Sequence, residues 1–248
     1  MSTFLTRLGK IFTASLTALF ALPLLLGNQA SWKAQRLAMV DKQIIRRGID
    51  DPRVIEAMRE VPRHRFLPPE YRALAYADAP QPIGYGQTIS QPYIVAYMTQ
   101  ELDLKPQHKL FELGTGSGYQ AAVASRLVEE VYTVEIHKPL AERARKTLKE
   151  LGYDNVHVRA GDGWAGWPEA APFDRIIITA AAPELPQTLL EQLRVGGKLL
   201  MPLGEAGGYQ ELVLVEKTQE NETTTRRLLP VRFVPVTGEH LHNDPERR

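Results

Sequence analysis

One ten-residue segment constrains the fold of this chain more than any other. Residues 110–119 have the sequence Leu-Phe-Glu-Leu-Gly-Thr-Gly-Ser-Gly-Tyr, an apolar run that passes directly into a glycine-rich turn. Glycine tolerates left-handed backbone angles and lets the main chain approach a ligand without a Cβ in the way. A helix is predicted to follow at 119–127, and its first N–H groups would be unpaired. The segment therefore predicts a strand, a ligand-cradling turn and a helix.

Alternating strands and helices continue from residue 109 toward the carboxyl end. Strands are predicted at 109–113, 131–135, 156–159, 175–179 and 198–201, with helices at 119–127, 139–151 and 186–193. This alternation indicates a parallel sheet covered on both faces. Gly196 and Gly197 are expected to turn the chain into the strand at 198. Two further strands at 211–217 and 226–234, joined by a polar turn, predict a hairpin that closes a seven-stranded α/β sheet.

Carboxylates follow two of the predicted strands and narrow the choice of ligand. Glu135 ends the strand about 20 residues after the glycine turn, where it can accept hydrogen bonds from both hydroxyls of a ribose. Asp162, beside Gly163, follows the next strand and can accept from the exocyclic amine of adenine. Two cofactors fit, a nicotinamide dinucleotide and S-adenosylmethionine. The Gly-x-Gly-x-Gly spacing favours S-adenosylmethionine, because a pyrophosphate site opens with Gly-x-Gly-x-x-Gly.

Composition limits the classes of function. With 248 residues and 44% hydrophobic content the chain can bury one sizeable core. Its net charge of +1 gives no reason to expect nucleic acid as a partner. The chain has no cysteine, which excludes disulfides, thiolate nucleophiles and cysteine-bound zinc. His240 and His242 are spaced like metal ligands, but their polar surroundings favour a solvated segment, and we predict no metal site.

The first thirty residues form an apolar leader. Residues 11–26 carry no charge and follow Arg7 and Lys10, as in a signal peptide or a short membrane anchor. More positive charges follow the apolar stretch than precede it: Lys33, Arg36, Lys42, Arg46 and Arg47. Since positive flanks tend to stay inside, we expect the protein to lie in the cytoplasm. A tether to the inner membrane through residues 11–26 is compatible with this expectation, and export to the periplasm is the alternative.

Two helices and a proline-rich stretch precede the sheet. Helical periodicity begins at Trp32 and stops at Gly48, and a second helix is predicted from an N-cap at Asp51 to Pro62. Residues 62–92 contain six prolines and are predicted to be irregular. A compact domain rarely tolerates so long an irregular stretch unless it is functional.

Five motifs together identify a family resemblance. They are Arg47-Gly-Ile-x-Asp51, Val61-Pro-Arg-His-x-Phe66, Pro82-Ile-Gly-x-Gly-Gln-Thr-Ile-Ser-Gln-Pro-Tyr93, Glu112-Leu-Gly-Thr-Gly-Ser-Gly-Tyr-Gln120 and Gln192-Leu-x-x-Gly-Gly197. Over about 39–237 the chain resembles the protein-L-isoaspartate O-methyltransferases, which repair damaged aspartyl and asparaginyl sites in proteins. The resemblance implies a Rossmann-like class I methyltransferase domain at 31–248. Residues 31–106 would be its helical and acceptor-loop region, and 107–248 its cofactor-binding sheet. The leader departs from the family.

The resemblance also implies roles for particular residues. Ser90 is the residue with the active-site role. The cofactor contacts implied are Gln87, Thr88, Ile89, Glu112, Gly114, Thr115, Gly116, Ser117, Gly118, Glu135, Asp162, Gly163 and Thr237. The cofactor would be S-adenosyl-L-methionine and the partners would be isoaspartyl-containing proteins and peptides, with the enzyme acting as a monomer. Apart from this resemblance, a serine in such a loop is most often a turn residue.

The implied chemistry requires few groups. An isoaspartyl residue has a free α-carboxylate with a pKa near 3.5, so it is ionised at pH 7 and needs no general base. Positioning of its oxygen roughly 3 Å from the methyl carbon can supply most of the catalysis. Two rival functions remain: a methyltransferase for another acceptor, and a binding module without catalysis. Thr179-Ala-Ala-Ala-Pro183 offers no aromatic ring to stack a nucleic-acid base, which disfavours a base methyltransferase.

Overall fold

The computed structural model describes residues 31–205 and 207–238. The predicted leader at 1–30 and the histidines His240 and His242 lie outside these ranges. Six α-helices are described in order: α1 (31–39), α2 (Pro52–Glu60), α3 (Pro92–Glu101), α4 (Tyr119–Ala124), α5 (Lys138–Glu150) and α6 (Gln187–Gln192). Within the described residues, none of the helices is long and apolar enough to cross a membrane.

The main sheet has seven strands, as the sequence predicts. Its strands are β3 (Lys109–Leu113), β4 (Glu130–Glu135), β5 (Val156–Ala160), β6 (Phe173–Ile178), β7 (Leu193–Gly204), β8 (Gln210–Gln219) and β9 (Glu222–Val231). Their order across the sheet is β5-β4-β3-β6-β7-β8-β9. The first five are parallel to one another, and β8 and β9 add an antiparallel hairpin at one edge. The predicted mostly parallel α/β sheet is confirmed.

Side chains on the central strands alternate between two buried cores. Leu110 of β3 belongs to the core that includes α3 and α4, whereas the next residue, Phe111, belongs to the core that includes α6. Ile177 and Ile178 of β6 divide in the same way. Because successive side chains of a strand point to opposite faces, near-continuous apolar strands are what a sheet covered on both faces requires.

The helices before the sheet end where the sequence predicts. After α1 the chain continues as a π-helical turn (Val40–Ile44) and a 3₁₀ turn (Ile45–Arg47), and Gly48 ends it at φ +90°. Asp51 caps α2, because its Oδ1 accepts from the backbone N–H of Arg53 at 2.8 Å. These helices pack into the same core as α3 and α4.

The stretch from 62 to 92 is more ordered than predicted. It contains two 3₁₀ turns (Arg63–Phe66 and Pro69–Leu74) and a two-stranded hairpin of β1 (Gln81–Gly84) and β2 (Gln87–Ile89), separate from the main sheet. Proline and glycine obscure strand periodicity in the sequence, yet the hairpin forms because its three-residue tip adopts left-handed angles. The prediction of an irregular segment was wrong for 81–89.

Strand β7 also differs from its prediction. It begins at Leu193 rather than 198, and its pairing with β6 jumps from Phe173–Leu193 to Arg175–Lys198. Gly196, at φ +76°, lies inside this bulge. The two glycines therefore interrupt a longer strand instead of making a separate turn before it.

Candidate cofactor and acceptor site

The glycine turn lies at the carboxyl end of β3, between β4 and β6. Gly114, Gly116 and Gly118 all have positive φ angles, of +96°, +53° and +86°. The N–H of Gly114 donates to Val134 O at 2.9 Å, which ties the turn to β4. A Cβ at Gly114 would lie 2.5 Å from Thr179 Oγ1, so this position has no room for a side chain. The turn is thus fixed by both neighbouring strands.

The later part of the turn has packing roles. A Cβ at Gly118 would lie 3.2 Å from Leu148 of α5, so this glycine allows close approach of that helix. Ser117 is buried, and its Oγ accepts from the N–H of Tyr119 at 3.3 Å at the start of α4. Thr115 is also buried, and its Oγ1 is hydrogen-bonded to Oγ1 of Thr133 at 2.6 Å. These contacts hold α4 and α5 against the turn.

Glu135 is buried at the end of β4 and faces the glycine turn. Its Oε2 accepts from the N–H of Gly116 at 2.7 Å, and its Oε1 accepts from the N–H of His137 at 2.9 Å. Only 4% of Glu135 is exposed. Each carboxylate oxygen can accept more than one hydrogen bond, so both keep capacity for the hydroxyls of a ligand. This carboxylate is held rigidly at the sheet edge.

Glu112, on β3, is a second buried carboxyl group with an unusual environment. It is fully buried, its Oε2 accepts from Thr133 Oγ1 at 2.6 Å, and its Oε1 has no partner among the described residues. Burial raises its pKa to about 8, the nearby charge of Glu135 adds to the rise, and the bond from Thr133 opposes it. An unpartnered buried carboxyl oxygen is costly unless a ligand completes it.

Asp162 lies after β5 and caps a short 3₁₀ turn (Gly163–Ala165). Its Oδ1 accepts from the N–H of Trp164 at 2.9 Å. Its neighbour Gly163 is buried, and a Cβ there would lie 2.7 Å from Leu113. Asp162 is therefore the residue before Gly163, which forms part of the wall of a cavity.

A narrow cavity of about 40 Å³ lies above the carboxyl ends of these strands. Five predicted cofactor residues line it: Gln87, Gly114, Glu135, Gly163 and Thr237. Sequence reasoning missed the other lining residues, Leu113, Val134, Ile136, His137, Ala180, Pro235 and Val236. Leu113, Val134, Ile136 and Val236 directly adjoin predicted residues in the chain, whereas Ala180 is remote from all of them, and the missed residue types carry no specific signal of a binding site.

A larger open groove of about 790 Å³ lies beside the cavity. It is lined by Pro80, Thr88, Ser90, Gln91, Ile94, Thr179, Gly207 and Pro230 to Val234. Ser90 is half-buried, whereas Ile89 is buried among the residues of the helical core, so of this pair the serine is the residue that faces the groove. Among the described residues that line the groove, Arg232 is the only charged one.

The segment after β9 forms one wall of both spaces. Ala181 donates to Val234 O at 2.8 Å, and Val236 donates to Ala181 O at 2.8 Å. Gln210 holds the same segment, because its Oε1 accepts from the N–H of Phe233 at 2.7 Å. These bonds explain how Thr237, distant in sequence, reaches the cavity. Across 31–205 and 207–238 the structure has no cluster of three potential metal ligands.

Comparison with known proteins gives a consistent result. Residues 34–241 match the family described as protein-L-isoaspartate(D-aspartate) O-methyltransferase. A protein-L-isoaspartate O-methyltransferase of Opitutus terrae is 56% identical over 205 residues, 83% of this chain and 88% of that protein.

Two solved structures are also similar. A structure of protein-L-isoaspartate O-methyltransferase has a TM-score of 0.74 and 29% identity, covering 83% of this chain and 66% of its own. A Plasmodium falciparum protein assigned to the same enzyme, in complex with S-adenosyl-L-homocysteine, has a TM-score of 0.72 and 27% identity over 82% of this chain and 98% of its own.

Proposed function

The chain belongs to the protein-L-isoaspartate O-methyltransferase family, and we propose that its small cavity holds the methyl donor while the adjoining groove presents the acceptor. The protein is a repair enzyme. It transfers a methyl group from S-adenosyl-L-methionine to the free α-carboxylate of L-isoaspartyl residues, and the resulting ester converts through a succinimide toward normal aspartate.

One observation carries the assignment of the two spaces: three pairs of consecutive residues separate them. Gln87 lines the cavity and Thr88 the groove; Ala180 lines the cavity and Thr179 the groove. Pro235 and Val234 divide in the same way. The two spaces therefore share a wall one residue thick, so a donor in one can reach an acceptor in the other.

The cavity residues fit S-adenosyl-L-methionine. Glu135 can accept from the ribose hydroxyls, and the unpartnered Oε1 of Glu112 can accept from the ammonium group of the methionine part. Gly114 and Gly163 line the cavity without side chains, so their backbone can lie against the ligand. Asp162, one residue from the wall, would accept from the adenine amine. We assign the other predicted contacts around this frame.

The groove residues support a reaction that needs no base. When bound, the cofactor supplies a methyl group on a sulfonium, which an ionised carboxylate can attack directly. Ser90 can donate one hydrogen bond to an acceptor carboxylate, which orients it without adding charge to the enzyme. Thr88 and Thr179 provide two more neutral hydroxyls in the same groove. None of the described lining residues is acidic, so no like charge raises the pKa of the acceptor, which stays ionised and nucleophilic.

Methyl transfer to a matched pair of peptides tests the function. Labelled methyl from S-adenosyl-L-methionine should transfer to an isoaspartyl peptide and give a base-labile ester, whereas its normal aspartyl twin should stay unlabelled. Equal labelling of the twin, or an alkali-stable product, would contradict carboxyl methylation of isoaspartate.

Ser90→Ala tests the assignment of the groove. Loss of one orienting hydrogen bond should lower kcat about 3- to 10-fold while the affinity for S-adenosylhomocysteine changes little. Ser125→Ala is the control, because Ser125 Oγ donates to Ala122 O within the helical core. Equal kcat in the Ser90→Ala variant and the wild type would leave Ser90 without a role in positioning the acceptor.

We also propose that the enzyme acts as a monomer that faces the cytoplasm, where its methyl donor is made. The excess of positive residues after the apolar leader supports the cytoplasmic side. Light scattering tests the first point. Recovery of a processed protein from the periplasm would contradict the second.

A further inference from the structure

The β1–β2 hairpin contributes Gln87 to the lining of the cofactor cavity and has an unusual tip. Gly84, Tyr85 and Gly86 all adopt left-handed angles, with φ of +92°, +56° and +71°. Such angles are ordinary for glycine and uncommon for tyrosine. Contacts elsewhere must therefore favour Tyr85 in this conformation.

Tyr85 meets the opposite wall of the cavity through His137. Their rings stack with centroids 5.6 Å apart and planes inclined by 26°. His137 lines the cavity, and its N–H donates to Glu135 Oε1, the carboxylate assigned to the ribose. Nε2 of His137 is buried without a hydrogen-bond partner in the described part of the chain. The tyrosine ring thus covers a residue at the rim of the cofactor site.

A second contact fastens the hairpin to α5. Nη2 of Arg143 donates to the backbone O of Ile83, the residue before the hairpin tip. The side chain of Ile83 itself lies over the glycine turn, since a Cβ at Gly116 would come within 3.3 Å of its Cδ1. The hairpin is consequently held on two sides, at His137 and at Arg143, and Gln87 beyond the tip lines the cavity.

From these contacts we propose that Tyr85 and Arg143 are positioning residues that latch the β1–β2 hairpin over the cofactor cavity and set the rate at which the demethylated cofactor leaves. This proposal rests on the assignment of the cavity to S-adenosyl-L-methionine. Because Tyr85 stacks on the cavity-lining residue His137 and Gln87 lines the cavity, release of a bound nucleoside would require the hairpin to move, and both contacts oppose that movement. The latch also keeps Gln87, Thr88 and Ser90 in place at the shared wall.

Dissociation of radiolabelled S-adenosylhomocysteine, measured by rapid filtration after dilution into unlabelled ligand, tests the latch. Tyr85→Ala and Arg143→Ala should each release the ligand about 3- to 10-fold faster than wild type, because each removes one of the two contacts. Tyr85→Phe should keep the wild-type rate, since the stacked ring remains. Hydrogen exchange of the amides at 83–89 should accelerate in the two alanine variants and not in the phenylalanine variant.

Arg145→Ala is the matched control for the arginine. Arg145 lies on the same helix and also donates to a backbone carbonyl, Val158 O at 2.8 Å, but this oxygen belongs to β5. Wild-type release rates in both Tyr85→Ala and Arg143→Ala would overturn the latch. Acceleration of release in the Arg145→Ala control equal to that in Arg143→Ala would also overturn it. A wild-type enzyme that does not bind S-adenosylhomocysteine would instead overturn the assignment of the cavity, so the two failures are distinguishable.

Discussion

The cavity and the groove share a wall but are built in opposite ways. Glu135 lines the cavity, and the buried carboxyl group of Glu112 belongs to the residue before its lining residue Leu113; a backbone donor and a buried hydroxyl fix their positions. The described lining of the groove consists mostly of hydroxyls and apolar groups, and Arg232, the one charged residue in that described lining, is exposed. A donor of constant structure can be bound by buried carboxyl groups held in fixed positions. An acceptor that occurs in many damaged proteins requires an open and nearly neutral surface.

This difference predicts where substitutions should have the largest effects. Buried charges and closely packed glycines tolerate little change, because the cost of leaving a polar atom unpaired or of forcing a clash is not relieved by water. Exposed groups in the groove are screened by solvent and should have small effects. The cavity should therefore determine affinity for the cofactor, while the groove should tune the rate and the choice of peptide.

Gly114→Ala should have the largest effect. The new Cβ would lie 2.5 Å from Thr179 Oγ1, on a backbone with φ of +96°, so the turn must shift. Affinity for S-adenosylhomocysteine should fall at least about 100-fold, since both strain and the displaced turn act against binding. Calorimetry measures this loss, and circular dichroism checks that the variant is folded.

Gly152→Ala is the control for backbone strain alone. Gly152 also has a positive φ, of +75°, but a Cβ there would have nothing within 4 Å. Its cofactor affinity should equal that of the wild type. If Gly114→Ala bound as tightly as this control, close packing of the turn would not matter for the site.

Glu135→Gln should have the next largest effect. The amide keeps the size of the side chain but removes the charge that strengthens hydrogen bonds to ribose hydroxyls, and one of its two terminal atoms can no longer accept. Affinity for S-adenosylhomocysteine should fall about 10- to 100-fold, as expected for hydrogen bonds to a charged group. Glu130→Gln, at the other end of β4, is the control because Glu130 bonds Tyr132 outside the cavity. Equal affinities of the two variants would refute the ribose assignment.

The sequence predicts the cavity side of the molecule better than the groove side. Strand β3 was predicted to the residue, because a short apolar run bounded by a glycine turn leaves little choice. The carboxylates at the ends of neighbouring parallel strands follow from the same topology, as Glu135 shows. The predicted roles of the lining residues stay predictions until they are tested.

Tertiary contacts explain what the sequence could not predict. The hairpin at 81–89 was missed because Pro82, Gly84 and Gly86 break any strand pattern, and its position depends on Arg143 and His137, which are remote in sequence. The early start of β7 was missed because a bulge at Gly196 interrupts it. Complete burial of Glu112, with its displaced pKa, is likewise a property of the packed sheet.

Binding of the cofactor should depend on pH through Glu112. Its pKa is about 8 in the unliganded protein, and a ligand ammonium beside Oε1 would lower it, so binding releases a proton below pH 8. Affinity for S-adenosylhomocysteine should therefore rise about tenfold from pH 7 to pH 8.5. Glu112→Gln should abolish this rise of affinity with pH. If affinity rose equally with pH in the variant and the wild type, the released proton would come from another group.

The same carboxyl group affects the stability of the unliganded protein with the opposite sign. In the unfolded chain Glu112 has a pKa near 4.5, so between about pH 4.5 and pH 8 the folded protein keeps a proton that the unfolded chain has lost. Protonated Glu112 therefore favours the folded state. This contribution to the free energy of unfolding is fully present below pH 4.5 and is lost as the pH rises through 8. A saturating cofactor should reduce this loss, which thermal unfolding at several pH values can measure.

Arg232 should give the smallest effect and is the most direct test of the nearly neutral groove. It is exposed, it lines the groove, and it makes no hydrogen bond or ion pair with any residue of the described ranges. We expect kcat/KM for an isoaspartyl peptide with a glutamate near the isoaspartate to exceed that of the glutamine version about 2- to 3-fold at low salt, because an exposed pair contributes little. The advantage should disappear in the Arg232→Gln variant and in 0.5 M salt.

Arg227→Gln is the matched control, since Arg227 is exposed on β9 and already pairs with Glu211 outside the groove. If Arg232→Gln kept the preference, or if Arg227→Gln removed it, the charge of the groove would not select the acceptor, and the contrast with the cavity would rest on burial alone.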